Sequence, residues 1–149
     1  KNNLPKKEIK FKLSKQLFTL NDTSLISTNA IYVHSDYLCG LKCDSMYFFI
    51  RFFYDGRMFW SFPYASYPSE KELNDLSYGK YGRYIVKDGK IKVELYMNRQ
   101  HGMMYMFAKP VSNGIQFYKT TGRGIGQIMK VSKTTDGGFY RKYYTKFYN

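Results

Sequence analysis

The sequence predicts an all-β domain: an antiparallel up-and-down meander of about eight or nine strands that closes into a barrel and carries one short helix. Aromatic residues make up 19% of the 149 residues, with 16 Tyr and 12 Phe against 1 Trp, and this bias favours strands. Short apolar runs alternate with Asp-Gly and Asn-Gly pairs, which are typical of tight hairpin turns. A long meander with open edges tends to aggregate, so closure into a barrel is the economical arrangement.

A chain of 149 residues is long enough for one domain with a single core. We divide it into a flexible basic leader over residues 1–25 and a single β-barrel domain over residues 26–149. The leader opens with KNNLPKKEIK, which is polar and basic. The sequence contains no run of the ~18 apolar residues that a membrane helix needs, and no recognisable signal peptide.

The run from Ala30 to His34 is β-branched and aromatic and predicts the first strand. The loop that follows holds Cys39 and Cys43. These two residues could form a small disulfide if the protein is exported, or remain free thiols if it is not. A zinc site would need further ligands, and the chain offers only His34 and His101, so we expect no metal.

The next unit is an aromatic hairpin from Tyr47 to Phe62, whose two runs flank Asp55-Gly56. Asp-Gly between such runs indicates a type I′ turn, because both central residues of that turn need positive φ. The aromatic content is too high for a strand pair with one face in water, so we expect both faces to contact apolar groups. Further on, Ser69 and Glu72 have the spacing of a capping box and predict a helix from about Glu70 to Leu76.

A second hairpin, Tyr81 to Tyr96, has a clear alternation of apolar and polar residues around Asp88-Gly89. If Asp88-Gly89 is a two-residue turn, Arg83 faces Glu94 across the strands. The residues predicted to share the core face are Gly82, Tyr84, Val86, Ile91, Val93 and Leu95. The residues predicted to face water are Arg83, Lys87, Lys90, Lys92 and Glu94.

Four further strands complete the meander. Met103 to Lys109 and Ile115 to Thr120 flank Asn113-Gly114, which predicts a third tight turn, and Gly124 to Lys133 and Phe139 to Phe147 follow. The three tight turns should lie at one end of the barrel, because a strand pair returns the chain there each time. The longer connections should then form a mouth at the other end.

Strand alternation also separates interior from exterior positions. If equal turns at one end twist alike, Arg51 lies opposite Trp60 inside the barrel. The candidate ligand-binding residues are the predicted inward side chains Phe49, Arg51, Phe53, Met58, Trp60, Phe62, Tyr84, Arg141 and Tyr143. The rings and Met58 would form an apolar wall, and Arg51 or Arg141 could hold a carboxylate through a two-pronged hydrogen bond. An eight-stranded barrel can also fill completely with side chains, which would leave no cavity.

The net charge of +13, from 24 Lys and Arg against 11 Asp and Glu, predicts salt-sensitive attraction to polyanions. The predicted outward residues of the last strand, Tyr140, Lys142, Tyr144 and Lys146, form a stripe of rings and cations that could contact a polyanion. The alternative function is therefore an interaction module that binds a polyanion or a protein partner through this face, with a filled barrel. The same residues could simply keep an edge strand soluble.

The sequence contains no evident set of catalytic residues. The chain has 2 His, no close pair of carboxylates in a predicted strand, and no Ser or Cys beside an obvious base. We therefore expect a protein that is not an enzyme and uses no cofactor. A small outer-membrane barrel would need an apolar outer face, and basic residues such as Lys90 and Lys92 argue against one.

The stretch from Gly82 to Ile91 joins a strand carrying Gly82 and Tyr84 to an Asp-Gly turn, behind an aromatic hairpin with its own Asp-Gly turn. From about Ile26 on, this pattern resembles the calycin-type, lipocalin-like domains of small bacterial exported lipoproteins. The resemblance implies an eight-stranded up-and-down barrel that binds a small apolar or amphipathic ligand such as a fatty acid. It also implies location in the bacterial cell envelope, either periplasmic or in peripheral association with the membrane through an N-terminal lipid anchor.

Overall fold

Nine strands and one helix make up the computed structural model, which describes residues 11–13, 25–39, 43–97, 102–124, 127–132 and 139–144. The elements in chain order are β1 (Ala30–Cys39), β2 (Cys43–Phe52), β3 (Arg57–Ser61), α1 (Glu70–Asn74), β4 (Gly79–Lys87), β5 (Lys90–Met97), β6 (Gly102–Val111), β7 (Gly114–Gly124), β8 (Gln127–Ser132) and β9 (Phe139–Tyr144). The strands build one closed eight-stranded antiparallel barrel with β8 outside the ring, so the predicted all-β barrel with one short helix is confirmed. No helix in these described ranges has the length and apolar character needed to cross a bilayer.

The ring runs from β1 to β7 in sequence order, and β9 closes it by pairing with both β7 and β1. One edge of β7 pairs with β6. Its other edge is divided, since residues 114–116 pair with β9 and residues 120–124 pair with β8. The barrel therefore closes through β9, and β8 extends the sheet beyond the ring.

The first tight turn is longer than predicted. The Phe53 amide donates to the Arg57 carbonyl at 2.9 Å, and the Gly56 amide donates to the Phe53 carbonyl at 3.2 Å, so the loop spans the three residues 54–56. Gly56 adopts φ of 81°, whereas Asp55 is not among the residues with positive φ. The predicted two-residue turn at Asp55-Gly56 is therefore wrong. Gly56 instead provides the left-handed residue that ends a three-residue hairpin loop.

This extra loop residue reverses the faces of β2. Arg51 pairs with Phe59, not with Trp60 as predicted. Phe49 packs with Phe59 on the outside of the barrel, and Phe53 lies against the same outer group of side chains. Because a shift of one residue moves every side chain of a strand to the opposite face, the predicted inward orientation of Phe49, Arg51 and Phe53 is wrong.

The second hairpin has the predicted geometry. Asp88 and Gly89 adopt φ of 53° and 70°, as a type I′ turn requires. The register pairs Tyr84 with Val93 and Arg83 with Glu94 as expected. The whole predicted core face is buried, namely Gly82, Tyr84, Val86, Ile91, Val93 and Leu95. Both the turn and the core face of this hairpin are therefore confirmed.

Other element ends differ from prediction by a few residues. The third turn comprises Ser112 and Asn113, with Asn113 at φ of 64° and Gly114 already in β7. The first strand continues to Cys39, directly opposite Cys43, so most of the predicted long loop is strand. The side chains of both cysteines lie outside the described residues, and their disulfide stays an open alternative.

The inner core fills the barrel at the tight-turn end. The ring of Phe52 makes edge-to-face contacts with Tyr32 at 5.4 Å and with Tyr84 at 4.7 Å between centroids. The Tyr84 hydroxyl donates to the Phe53 carbonyl at 2.7 Å, and burial raises the pKa of Tyr84, so the phenol stays protonated as a donor. The inner core comprises Ile26, Tyr32, Ile50, Phe52, Met58, Tyr84, Val86, Ile91, Val93, Leu95, Met106, Ala108, Ile115, Phe117 and Tyr140.

Residues 62–78, here called the strap, cross the outside of the barrel between β3 and β4. Tyr64 forms a bridge with Tyr47, with both amide-to-carbonyl distances at 2.9 Å. Leu73 of α1, which is part of the strap, packs against the barrel in an outer cluster. The buried members of this outer cluster are Ile31, Val33, Phe49, Phe59 and Leu73. The expectation that both faces of the aromatic hairpin contact apolar groups is therefore confirmed.

The capping box at the start of α1 is also confirmed, although the helix ends at Asn74 rather than near Leu76. The Ser69 amide donates to Glu72 Oε2 at 2.7 Å, and the Glu72 amide donates to Ser69 Oγ at 3.3 Å. The hydrogen bond from the Ser69 amide lowers the pKa of Glu72 below its ordinary value of 4.5. The cap therefore depends on the ionised carboxylate.

We expect Ser69→Ala to destabilise α1 by about 1 kcal/mol, because it removes the acceptor for an otherwise unpaired amide. Acidification should weaken the same cap. A carboxylate with a lowered folded-state pKa stabilises fully above pH 4.5, and this stabilisation is lost as the pH falls through the folded-state value. Amide exchange of Leu73, whose N–H donates to Ser69, would measure both effects. Equal exchange in wild type and variant would contradict this role of Ser69.

The outer face of β5 contains a buried carboxylate where we predicted exposure to water. Glu94 has 0% of its surface accessible. Its oxygens accept from the Lys12 amide at 2.9 Å, the Leu13 amide at 2.8 Å and the Tyr105 hydroxyl at 3.1 Å. Residues 11–13 of the predicted leader cover this position, so the expectation of a uniformly hydrated face is wrong at Glu94. The proposed boundary between leader and barrel stays a prediction.

Candidate functional site

An aromatic layer lies across the middle of the bore. Trp60 of β3 stacks on Phe117 of β7 with a centroid distance of 6.1 Å, and it contacts Tyr140 of β9 at 6.0 Å. Phe117 and Tyr140 are 5.4 Å apart, and His34 is 4.9 Å from Tyr140. Because β3 and β7 stand on opposite sides of the eight-stranded ring, this aromatic layer fills the bore at its level.

Above the aromatic layer, a cavity of about 190 Å³ opens at the end of the barrel away from the tight turns. We call it the mouth. Lys80 contributes a cation to a lining that is otherwise largely apolar. The lining includes Phe48, Trp60, Phe62, Lys80, Leu95 and Met104. The mouth is smaller than the roughly 300–1,000 Å³ of drug-sized ligand sites, so it fits a short apolar group.

The structure brings two of the predicted site residues to the mouth, Trp60 and Phe62, the latter 38% exposed. Met58 and Tyr84 lie deeper, in the filled inner core. Sequence reasoning missed Phe48 and Lys80 as members of this site. Lys80 shares its strand face with Gly82 and Tyr84, so alternation along β4 was sufficient to find it.

The last strand has the opposite orientation to the one predicted. Tyr143 pairs with the outward residue Ile31. Tyr140 is only 4% exposed and belongs to the inner core, so its assignment to an outer stripe is wrong. Arg141 and Tyr143 are exposed on the outside, and their predicted inward orientation is wrong as well. The prediction assigned the faces of the last strand by extending the inside–outside alternation of earlier hairpins. The pairing register between β9 and β1, which decides these faces, is not visible in the sequence.

The other three residues of the predicted outward stripe, Lys142, Tyr144 and Lys146, do not support it either. Lys142 pairs with the inward residue Tyr32, so its backbone position belongs to the inner face. The side chain of Tyr144 and the whole of Lys146 lie outside the described residues. The stripe of rings and cations on β9 therefore has no described outward member among the four predicted residues.

Arg141 and Tyr143 instead border a second cavity, of about 440 Å³, between the strap and the outer face of the sheet. We call it the outer cleft. Three rings meet there, since Tyr67 of the strap is 5.8 Å from Tyr47 and 6.0 Å from Tyr143. Burial, with Tyr143 nearby, raises the pKa of Tyr67. The other lining residues are Val33, His34 and Ser35 of β1.

A separate basic surface covers β5, β6 and β7 on the outside. Lys92 Nζ lies 5.0 Å from the centre of the Tyr105 ring and 5.7 Å from that of Phe107. Lys119 Nζ lies 5.2 Å from the Phe107 ring. Each ring face therefore carries an ammonium group, an arrangement that electrostatic attraction to the ring stabilises. We refer to these four residues as the basic ring surface.

Within the described ranges, no group of three or more His, Cys, Asp or Glu side chains is placed to hold a metal ion. Comparison with protein-family models, with curated proteins and with solved structures gives no match. The class of protein is therefore defined by its architecture alone, a closed antiparallel β-barrel with a small mouth.

Proposed function

We propose that this protein binds a small apolar or amphipathic molecule without catalysis, with the apolar part of the ligand in the mouth of the barrel. The observation that carries the proposal is the combination of an apolar wall, formed by residues such as Trp60 and Leu95, with one cation, Lys80, among the described residues of the mouth lining. A largely apolar cavity with one charged group is the usual composition of a site for an amphipathic ligand.

The size of the mouth limits the ligand. The aromatic layer and the inner core occupy the bore below it, so a chain cannot pass towards the tight turns. We therefore propose a short fatty acid, or the end of a longer lipid, as the ligand. Its carboxylate would lie near Lys80, because a charge-assisted hydrogen bond compensates for the water that the carboxylate loses.

Trp60 is the only tryptophan in the chain and lines the mouth, so its fluorescence reports on this cavity. We expect octanoate and octanol to change its emission. Lys80→Met should weaken octanoate binding about tenfold, the factor that ~1.4 kcal/mol of charge-assisted hydrogen bonding gives, and should leave octanol binding unchanged. Lys87→Met removes the same charge from an exposed position at the other end of the barrel and is the matched control.

Met104→Phe enlarges a lining side chain without adding a second tryptophan, and it should weaken both ligands. Native mass spectrometry of the purified protein would show any lipid that is already bound. Unchanged Trp60 emission with both ligands would contradict binding in the mouth. An equal effect of Lys80→Met and Lys87→Met would contradict the role of Lys80 in holding the head group.

The second candidate function is binding of a polyanion through the outer surface, with the mouth unused. The basic ring surface favours it, because Lys92 of β5 and Lys119 of β7 flank the rings of Tyr105 and Phe107 on the strand between them. Binding of this kind would fall steeply with salt, since it releases counterions from the polyanion. Salt-sensitive binding to heparin without any change in Trp60 emission would favour this candidate over the mouth.

We also infer that the protein is a lipocalin-like domain of an exported bacterial lipoprotein, held in the cell envelope by a lipid anchor. The resemblance of the stretch from Gly82 to Ile91 and of the aromatic hairpin before it supports this proposal. Palmitate labelling and membrane fractionation of the producing cells would test it. A cytoplasmic, unlabelled protein would contradict it.

A further inference from the structure

The outer cleft is a second cavity, and its lining differs in chemistry from that of the mouth. Its volume of about 440 Å³ falls within the roughly 300–1,000 Å³ typical of small-molecule sites. The cleft lies between Tyr67 on the strap and residues of β1, β2 and β9, whereas the mouth opens into the barrel. No residue that the structure describes lines both cavities.

The rings of the outer cleft are held in place but remain accessible. Tyr67 contacts Tyr47 and Tyr143 edge to face, at interplanar angles of 71° and 78°. Tyr67 is nevertheless 46% exposed and Tyr143 38% exposed. Rings that are fixed by their neighbours lose little conformational freedom when a ligand packs against them. The raised pKa of Tyr67 keeps its hydroxyl protonated and able to donate a hydrogen bond.

The charge of the outer cleft favours an anion. Arg141 is exposed at its border, and none of the lining residues that the structure describes is acidic. A guanidinium group presents a planar fork that matches a carboxylate or a phosphate. Tyrosine hydroxyls and Ser35 add hydrogen-bonding groups, and among the described lining residues only Val33 is aliphatic. The lining therefore suits a polar ligand better than a lipid.

We propose that the outer cleft binds a sugar that carries an anionic group. The tyrosine rings would pack against the C–H face of the sugar ring, their hydroxyls would bond to its hydroxyl groups, and Arg141 would hold the anionic group. The anion can come from two sources, the carboxylate of a uronic acid or the phosphate of a sugar phosphate, because an arginine binds both.

Calorimetry and NMR on the full 149-residue chain test this proposal with glucuronate, glucose phosphate and neutral methyl glucoside. We expect the anionic sugars to bind and to shift the resonances of Tyr67 and Tyr143, with Trp60 fluorescence unchanged. The tighter of the two anionic sugars identifies the source of the charge. Arg141→Met should weaken the anionic sugars at least about tenfold. Tyr67→Ala, at an exposed position of the strap, should weaken all the sugars that bind.

Lys87→Met is again the matched control, because it removes one exposed charge far from the outer cleft. Circular dichroism of each variant would establish that it is folded before binding is compared. Absence of binding by either anionic sugar at millimolar concentration would overturn the proposal. So would equal affinity for methyl glucoside, or equal losses in the Arg141 and Lys87 variants. These results are independent of the mouth, since Trp60 does not line the outer cleft.

Discussion

Gly82→Ala is expected to destabilise the barrel by about 3 kcal/mol, because the site has no room for one more carbon atom. A Cβ at this position would lie 2.5 Å from the Glu94 carbonyl oxygen, 2.7 Å from Leu95 Cδ2 and 3.0 Å from Met58 Sδ. The first of these contacts is with the backbone of the neighbouring strand, which cannot rotate away. Relief therefore requires β4 and β5 to separate locally. Urea unfolding followed by circular dichroism would measure the loss.

Gly89→Ala is the matched control for this experiment. Gly89 adopts φ of 70°, but an added Cβ would meet no atom within 4 Å. The substitution therefore introduces backbone strain alone and should cost about 1 kcal/mol. A loss at Gly82 no larger than the loss at Gly89 would contradict the packing argument.

Glu94→Ala is the second substitution with a large expected effect, a loss of about 3 kcal/mol. It removes the acceptor of three hydrogen bonds, from the amides of Lys12 and Leu13 and from the Tyr105 hydroxyl. Each buried donor left without a partner costs roughly 1–3 kcal/mol, and the segment can recover part of this by moving into water. We therefore expect residues 11–13 to leave the barrel surface, with faster exchange of the Leu13 amide.

Tyr105→Phe provides a graded comparison, because it removes one of these hydrogen bonds and leaves the carboxylate in place. We expect it to cost about 1 kcal/mol and to leave the Leu13 amide protected. Unchanged stability and unchanged exchange at Leu13 in Glu94→Ala would show that the carboxylate does not hold the segment.

The sequence was sufficient to predict the class of fold, and the turn, register and core face of one hairpin. At Asp88-Gly89 the turn residues, the alternation and the burial of the core face all agree, because a two-residue turn fixes the register of both strands. At Asp55-Gly56 the same dipeptide ends a three-residue loop. Local sequence does not distinguish these two turns, so the face of β2 could not be predicted from it.

The candidate site was harder to predict than the fold, because it depends on orientation. Trp60 reaches the mouth as expected, but Arg51 lies on the outside, where its guanidinium is 5.1 Å from the centre of the Phe53 ring. Arg141 faces the strap because β9 takes its register from β1, a strand more than a hundred residues earlier in the chain. A register of this kind is decided by closure of the barrel and leaves no trace in local sequence.

The strap gives the protein two hydrophobic cores that share one wall, since β2 and β3 contribute to the inner core and to the outer cluster. Such a wall allows unfolding in stages. We expect the strap to detach first, exposing Leu73 and its neighbours, while the strand ladder of the barrel stays intact. Because Tyr67 lies on the strap, a ligand in the outer cleft would bind only the attached form and shift this local equilibrium by mass action. Binding in the outer cleft would then keep the whole strap ordered, and loss of the ligand would allow it to detach.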